Sequence, residues 1–242
     1  LYFCKAIAKV MIFTIPANSY RLFFQSKNNF MDQQTSISTL IFDFGGVIIN
    51  LDLPLCISRL QAIGADNTVQ YLTNFGQSGF FLGWERGDVD LEEFRANVRS
   101  ISTGNPTDEE IDEAWMAFLQ DIPAEKINLL KQLRPHYRIL MLSNTNPLHI
   151  ERSAPRAFAE HGTSMEELFD RCYLSYQIGL TKPDPAIFNY LLEQEGVTAN
   201  ECLFLDDGVK NIDTASAMGF QTRLIDPAES LDFLLNLKKQ PK

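Results

Sequence analysis

Apolar residues along this chain gather into short unbroken runs, each of which gives way to polar residues at one end. STLIFDF, from Ser38 to Phe44, delivers Asp43 and is followed by a pair of glycines. YRILMLSNTN, from Tyr137 to Asn146, ends in Ser143 and a polar loop, and ECLFLDDG, from Glu201 to Gly208, ends in Asp206 and Asp207. QTRLID, from Gln221 to Asp226, is a fourth such run. Continuous apolar runs of this length, bounded by turn residues, predict strands buried on both faces. Between them the period lengthens. PAEKINLLKQLR opens with a proline and repeats apolar residues at Ile127, Leu130 and Leu133; DPAIFNYLLEQEG starts at a proline and stops at Gly196; NIDTASAMGF closes at Gly219. These are helix signals with helix stops. Strand and helix in alternation predict an α/β fold, a Rossmann-like parallel sheet with helices on both faces.

The segment from 53 to 122 reads differently. It contains no convincing buried strand. DLEEFRANVRSI carries acids in its first turn and apolar residues at Leu91, Phe94 and Val98, which predicts an amphipathic helix. TDEEIDEAWMAFLQ starts at Thr107, with Glu110 three residues later as a capping-box partner. The predicted organisation is therefore an N-terminal extension (1–36), a catalytic core (37–52 and 123–242) and a helical cap inserted after the first strand (53–122). No internal repeat or low-complexity tract interrupts this division.

Composition narrows the function classes. The 242 residues suffice for one large domain with an insert. A net charge of −10 argues against a broad nucleic-acid footprint. It leaves room for a local anion site, because backbone N–H groups and one lysine can bind phosphate. Residues 1–30 depart from the rest, with Lys5, Lys9, Arg21 and Lys27 and no acid. That stretch is too short and interrupted to span a bilayer; it reads as an upstream extension with Met31 near the natural start, or as a targeting segment with a poor cleavage signal. No membrane association is expected. Cys4, Cys56, Cys172 and Cys202 are scattered without a C-x-x-C pair, as in reduced thiols of a cytoplasmic protein. His136, His149 and His161 lack metal-ligand spacing and read as surface or structural histidines.

Ligands in parallel sheets sit outside the carboxyl ends of the strands, where Asp43, Ser143 and Asp206 all fall. A carboxylate such as Asp43 can attack phosphorus and split one difficult displacement into two easier ones. Gly45 and Gly46 let backbone N–H groups approach phosphate oxygens. DFGG alone fits an ordinary strand-end turn equally well. Asp206 and Asp207 repel each other at a buried strand end, and a divalent cation relieves that; oxygen-only ligands favour Mg²⁺. The alternative is an acid pair serving the following helix. Lys182, between Thr181 and Pro183 before a helix, can neutralise both phosphate and nucleophile, or be a solvated lysine. Ser143, beside Asn144, can donate to a phosphoryl group or cap a turn.

The four segments occur in the order Asp loop, Ser, Lys-Pro, Asp-Asp. From about Ile37 to Asp226 the chain resembles a haloacid-dehalogenase-superfamily hydrolase with a helical cap. SNTNPLH, YLSYQIGLTKPDPAIF, FLDDGVKNIDTA and the cap segment WERGDVDLEEF resemble the bacterial α-D-glucose-1-phosphate phosphatase group within it. The resemblance implies Asp43 as the nucleophile that forms an aspartyl-phosphate, Ser143 as phosphate-binding hydroxyl, and Lys182 as the lysine orienting both. Gly45, Gly46 and Asn144 complete the phosphate cradle. Asp43, the Gly45 carbonyl, Asp206 and Asp207 are implied as Mg²⁺ ligands, with Asn211 behind them.

One position departs from the superfamily pattern. Most of its phosphatases carry a second aspartate two residues after the nucleophile, which protonates the leaving oxygen and then activates water. Here that residue is Gly45. General acid–base help is worth ~10²–10⁴-fold in rate, about 3–5 kcal/mol of barrier. The loss is survivable where the leaving group is acidic, as in an anomeric sugar phosphate. The resulting expectation is a Mg²⁺-dependent phosphatase acting on a small phosphomonoester, a sugar phosphate such as glucose 1-phosphate. Two alternatives remain: a dehalogenase, whose halide leaves without a proton, and a catalytically impaired phosphate-binding protein. Trp84, Glu85 and Arg86 face the substrate or pack and solvate the cap; Asp52 is a nearby proton source or a surface acid.

Overall fold

Four consecutive residues, Thr39–Phe42, form the first strand (β1), and all four are buried. Leu40 and Phe42 point to one face of the sheet, Ile41 to the other. This is why the run is continuous rather than alternating: each successive side chain enters a different core. The same partition holds in β2 (Arg138–Ser143) and β4 (Cys202–Asp206), which flank β1 in parallel. With β3 (Arg171–Leu174) and β5 (Gln221–Leu224), the sheet order is β3-β2-β1-β4-β5. β3 was not predicted: it is a four-residue edge strand with Arg171 exposed, so it has no long apolar run. The computed structural model describes residues 37–73 and 76–237; the predicted extension over 1–36 lies outside them, as does Cys4.

The helix between β1 and the sheet's next strand is not one helix but an insert. It comprises α1 (Leu53–Ala62), α2 (Phe80–Arg86), α3 (Leu91–Ser100) and α4 (Asp108–Met116), with a short two-stranded ribbon of Leu72–Thr73 and Gly76–Gln77 that the sequence did not predict. Asp90 and Thr107 each cap a helix in a reciprocal box with Glu93 and Glu110, a device worth ~1 kcal/mol apiece. Phe81, Trp84, Phe94 and Trp115 stack into a core separate from those of the sheet.

After the insert come α5 (Ala124–Leu133), α6 (Ala154–Ala159), α7 (Met165–Leu168), α8 (Ser175–Ile178), α9 (Pro185–Glu195) and α10 (Val209–Ala217). Ile127, Leu130 and Leu133 of α5 cover one sheet face; Ile187, Phe188 and Leu191 of α9 and Ile212 of α10 cover the other. Full burial of each such side chain contributes about 1.5–3 kcal/mol.

Two features hold the insert over the sheet edge. The chain entering it and the chain leaving it are zipped together: Gln120 N–H donates to Asn50 O (2.9 Å), Asn50 N–H to Asp121 O (3.0 Å) and Asp52 N–H to Phe118 O (2.9 Å). Beyond this hinge, fully buried Asp112 of α4 accepts from Arg95 of α3 at 2.7 Å and from Arg152 at 2.7 Å. Arg152 lies in a π-helical turn, His149–Ser153, that follows β2. Removing one partner of such a buried pair typically costs 3–5 kcal/mol, since the other charge stays uncompensated.

Candidate active site

Parallel register brings the polar strand ends to one place. Phe42 pairs with Met141 of β2 and with Leu205 of β4, so the next residues out, Asp43 and Asp206, leave the sheet side by side. Asp43 N–H still donates to Leu205 O at 2.8 Å. The chain then turns sharply: Ile48 and Ile49 N–H both reach back to Phe44 O (2.9 Å each), and Gly46 N–H donates to Ile49 O at 2.9 Å. Gly46 adopts φ +72°, and a Cβ there would sit 2.3 Å from Asp207 Oδ2. Both the backbone conformation and the close approach of the acid exclude any larger residue.

Lys182 is the hub. Its ammonium is buried between Asp43 Oδ1 (2.9 Å) and Asp206 Oδ2 (2.7 Å). Burial works against that charge, but Asp206 and Asp43 outweigh it and hold its pKa above the ordinary lysine value. The solvated-lysine reading is therefore excluded. Asn144 fixes the lysine's backbone from both sides: its Nδ2 donates to Lys182 O at 2.8 Å, and its Oδ1 accepts from Lys182 N–H at 2.8 Å. Asn144 was expected in the phosphate cradle. The second N–H of Nδ2 has no acceptor in that clamp and stays available to a ligand, as does the backbone N–H.

The acid pair is not symmetric. Asp206 is fully buried, and donors from its own chain meet both its oxygens: Oδ1 takes Gly208 N–H (2.7 Å) and Asn211 Nδ2 (2.9 Å), Oδ2 takes Lys182. Asn211 thus sits behind the acids, as expected. Asp207 faces the glycine turn and lines the cleft. Oxygens of Asp43, Asp206 and Asp207 lie within 4.8 Å of one another. Burial pushes Asp43 up to about 7, with Asp206 adding and Lys182 opposing. Burial likewise pushes Asp207 up to about 8, with Asp43 and Asp206 adding. Three carboxylates and one ammonium form a set short of positive charge, and all donors are hard oxygens. That set fits a hard divalent cation such as Mg²⁺.

Asp43, Gly45, Ser143, Asn144, Lys182, Asp207 and Asn211 all line one small cleft of about 80 Å³, open to solvent. Ser143, the last residue of β2, is buried there, with its hydroxyl 3.5 Å from Asn144 O, a weak contact that leaves the O–H able to turn to a ligand. Asp52, read as a proton source or a surface acid, caps α1, its carboxylate accepting from Leu55 N–H at 2.8 Å, and it is not among the residues that line the cleft. His149 lines the cleft but is structural. It stacks on Trp115 with centroids 5.1 Å apart, Nδ1 meets Asn146 Nδ2 (3.1 Å) and Nε2 meets Trp115 O (3.3 Å). Burial drives its pKa down to about 3, against the Trp115 carbonyl, so the ring is neutral.

Sequence reasoning missed Leu51. A Cβ on Gly45 would lie 3.1 Å from Leu51 Cδ1, so a side chain at 45 would press on the leucine tip, which would have to give by a few tenths of an ångström. Nothing in the spacing of these residues announces the contact; the turn between them creates it.

A family model described as haloacid dehalogenase-like hydrolase matches residues 37–219. The chain is 33% identical over 186 residues to a D-ribitol-5-phosphate phosphatase from Bacteroides thetaiotaomicron, covering 77% of this chain and 90% of that protein. Its structure is similar to that of the HAD family enzyme BT-2542 from the same bacterium, solved in complex with magnesium and inorganic phosphate (TM-score 0.80, 35% identity, 83% of this chain and 99% of that one). A HAD-like family hydrolase from Porphyromonas gingivalis is also similar (TM-score 0.78, 34% identity, 85% and 100% covered).

Proposed function

Because the chain belongs to the haloacid dehalogenase-like hydrolase family, we propose that it is a phosphoric monoester hydrolase, a Mg²⁺-dependent phosphatase of a small sugar or sugar-alcohol phosphate working through an aspartyl-phosphate. The observation that carries the reading is Asp43 held against Lys182 at the mouth of a cleft that also contains Ser143 and Asp207. The similarity to a D-ribitol-5-phosphate phosphatase and to a structure binding magnesium and phosphate supports it.

In this reading the Asp43 carboxylate attacks phosphorus, the ester P–O bond breaks, and the alkoxide leaves. Water then attacks the same phosphorus, releasing phosphate and restoring the carboxylate. Lys182 and the Ser143 hydroxyl hold the phosphoryl oxygens, and the Gly45 N–H can join them; Gly46, expected in the cradle, contributes no N–H, since it donates to Ile49 O, and Phe44 N–H donates to Asp43 Oδ1. Asp43, the Gly45 carbonyl and Asp207 would hold Mg²⁺ directly. Asp206, its oxygens already met by chain donors, acts from behind with Asn211 and Lys182. When bound, Mg²⁺ neutralises charge on the phosphoryl group and lets the carboxylate approach it. Residues 53–122 serve as the cap and residues 37–52 and 123–237 as the catalytic core.

Gly45 carries no proton, and the apolar Leu51 tip stands against the position where a carrier's Cβ would be. This favours leaving groups that depart without help, such as the anomeric oxygen of glucose 1-phosphate. The D-ribitol-5-phosphate phosphatase is named for a primary alkyl ester, so both substrates belong in one assay. A cytoplasmic site of action is supported by the free thiols of Cys56, Cys172 and Cys202; among the described residues no helix is long and apolar enough to cross a membrane.

The test is phosphate release from a phosphomonoester panel, with Mg²⁺ and with EDTA. Release that requires Mg²⁺ is expected. The apolar Leu51, Phe118 and Leu119 around Gly45 also suit a C–halogen hydrolase, and chloride release from a 2-haloacid that persists in EDTA would establish that reading instead.

A further inference from the structure

Parallel register seats the start of α8 beside the loop that carries Ser143. Ser143 of β2 pairs with Leu174 of β3, so Asn144 and Thr145 leave the sheet alongside Ser175. Ser175 is fully buried. Its Oγ accepts from Thr145 N–H at 2.9 Å, and lies 2.5 Å from Glu85 O and 3.2 Å from Thr145 O. A hydroxyl has one proton to give, and the shorter contact assigns it to Glu85 O. Glu85 belongs to α2 of the insert, and Thr145 lines the cleft two residues after Ser143. One buried hydroxyl therefore joins the cleft loop to the main chain of the insert.

Two further observations show what this tie controls. The segment 175–182 is held to the loop 143–145 at both of its ends: Ser175 Oγ meets the Thr145 main chain, and the Asn144 side chain meets the Lys182 main chain. The loop with the hydroxyl and the segment with the lysine therefore move together. On the insert side, α2 ends at Gly87, where φ is +79° and a Cβ would lie 2.3 Å from Tyr176 O. Tyr176 follows Ser175, so the end of α2 sits on α8 at backbone distance, which needs glycine at 87. Loss of the Ser175 hydroxyl would leave the buried Thr145 N–H without this acceptor, a cost that the loop relieves by shifting.

We infer that Ser175 is a positioning residue, whose hydroxyl places Ser143 and Lys182 for phosphoryl transfer by fixing their loop against the seated insert. This deepens the phosphatase reading and rests on it. Ser175 is not among the residues lining the cleft, so it touches no reacting atom and acts through the Thr145 main chain. A displacement on the order of 1 Å in groups that hold a reacting centre is enough to cost about 10²-fold in rate.

The test is a pair of double-mutant cycles on p-nitrophenyl phosphate with Mg²⁺, with kcat and KM read separately and a thermal melt showing each variant folded. Ser175→Ala is expected to lower kcat roughly tenfold while KM changes less. In a Ser143→Ala background the same change is expected to cost less than about threefold, because a group it places is already gone. Gly87→Ala, which presses the insert off Tyr176 O, is expected to lower kcat several-fold and to add little in a Ser175→Ala background. Ser175→Cys, a weaker donor and acceptor, is expected to fall between wild type and Ser175→Ala, and takes its place in both cycles should the alanine variant not fold. Should Gly87→Ala not fold, the Ser143 cycle alone decides. Equal fractional losses in both backgrounds of either cycle overturn the inference, because each residue would then act alone. An unchanged kcat in folded Ser175→Ala overturns it too. Wild-type protein that releases neither nitrophenol nor phosphate sinks the phosphatase reading itself, and the inference falls with it.

Discussion

The two ends of the cleft are built on opposite plans. At the end proposed to hold phosphate, polar groups are cross-tied: Lys182 between Asp43 and Asp206, Asn144 on the lysine's backbone, Asn211 on Asp206. At the leaving-group end, Gly45 faces Leu51, and the surrounding insert is apolar except for Glu85. The difference separates two tasks. Holding and attacking a phosphoryl group is a matter of fixed charge, which a rigid sheet edge supplies. Supplying a proton to the departing oxygen needs a mobile proton carrier, and this end has none at position 45.

The comparison can be broken most severely at the phosphate end. Asp43→Asn is expected to lower turnover on the order of 10⁴-fold or more, measured as phosphate release, while the thermal melt shows a folded protein. At the other end, Gly45→Asp tests whether the proton carrier can be restored. Gly45 lies outside the positive-φ region, so the backbone accepts a side chain, but Leu51 must move. The double variant Gly45→Asp with Leu51→Ala is expected to raise kcat on alkyl phosphates by up to about 10²-fold, and Gly45→Asp alone by less. No gain in the double variant would show that the apolar end is not what limits those substrates. A smaller effect is expected from Asn144→Ala. Freed from its two-point clamp, Lys182 shifts, and kcat should fall roughly tenfold with little change in melting temperature.

The smallest effect concerns stability and pH. In metal-free protein Asp43 and Asp207 are pushed up to about 7 and about 8, mainly by burial. Their folded-state pKa values thus exceed the unfolded ones, so the folded form binds more protons in between. Stability is full below the unfolded carboxylate range and declines as pH rises through the folded values, the two acids titrating as a linked pair. The melting temperature in EDTA should therefore drop between pH 5 and pH 9, and Mg²⁺ should raise it most at the upper end. A melting temperature that climbs over that range would contradict the charge picture of the phosphate end.

The phosphate end was also the legible one. Continuous apolar runs marked β1, β2 and β4 as buried strands, and parallel pairing then required Asp43, Ser143 and Asp206 to meet at one edge; β5 was legible as a strand, but as an edge strand it buries only Leu224 rather than both faces. The capping boxes at Thr107 and the helix stops at Gly196 and Gly219 were equally local signals. What escaped depended on tertiary packing. The edge strand Arg171–Leu174 is half exposed and short, so no periodicity marks it. Asp52 caps a helix, and His149, read as a surface or structural ring, is the structural kind, with both nitrogens used; which alternative holds is decided by neighbours three residues away or farther along the chain. Leu51 over Gly45 is the clearest case. Sequence alone shows a missing aspartate, whereas the fold shows an apolar side chain pressed against that position.

The most direct measurement of the central claim is a rapid-mixing experiment with p-nitrophenyl phosphate, whose leaving group departs without a proton, followed by acid quench and mass analysis of the peptide containing Asp43. If Asp43 is the nucleophile and no residue at 45 activates water, hydrolysis of the aspartyl-phosphate is the slow step. A burst of nitrophenol approaching one equivalent per protein, dependent on Mg²⁺, should then coincide with one phosphoryl group on Asp43. Linear release with an unmodified Asp43 peptide, and turnover that survives Asp43→Asn, would contradict the account.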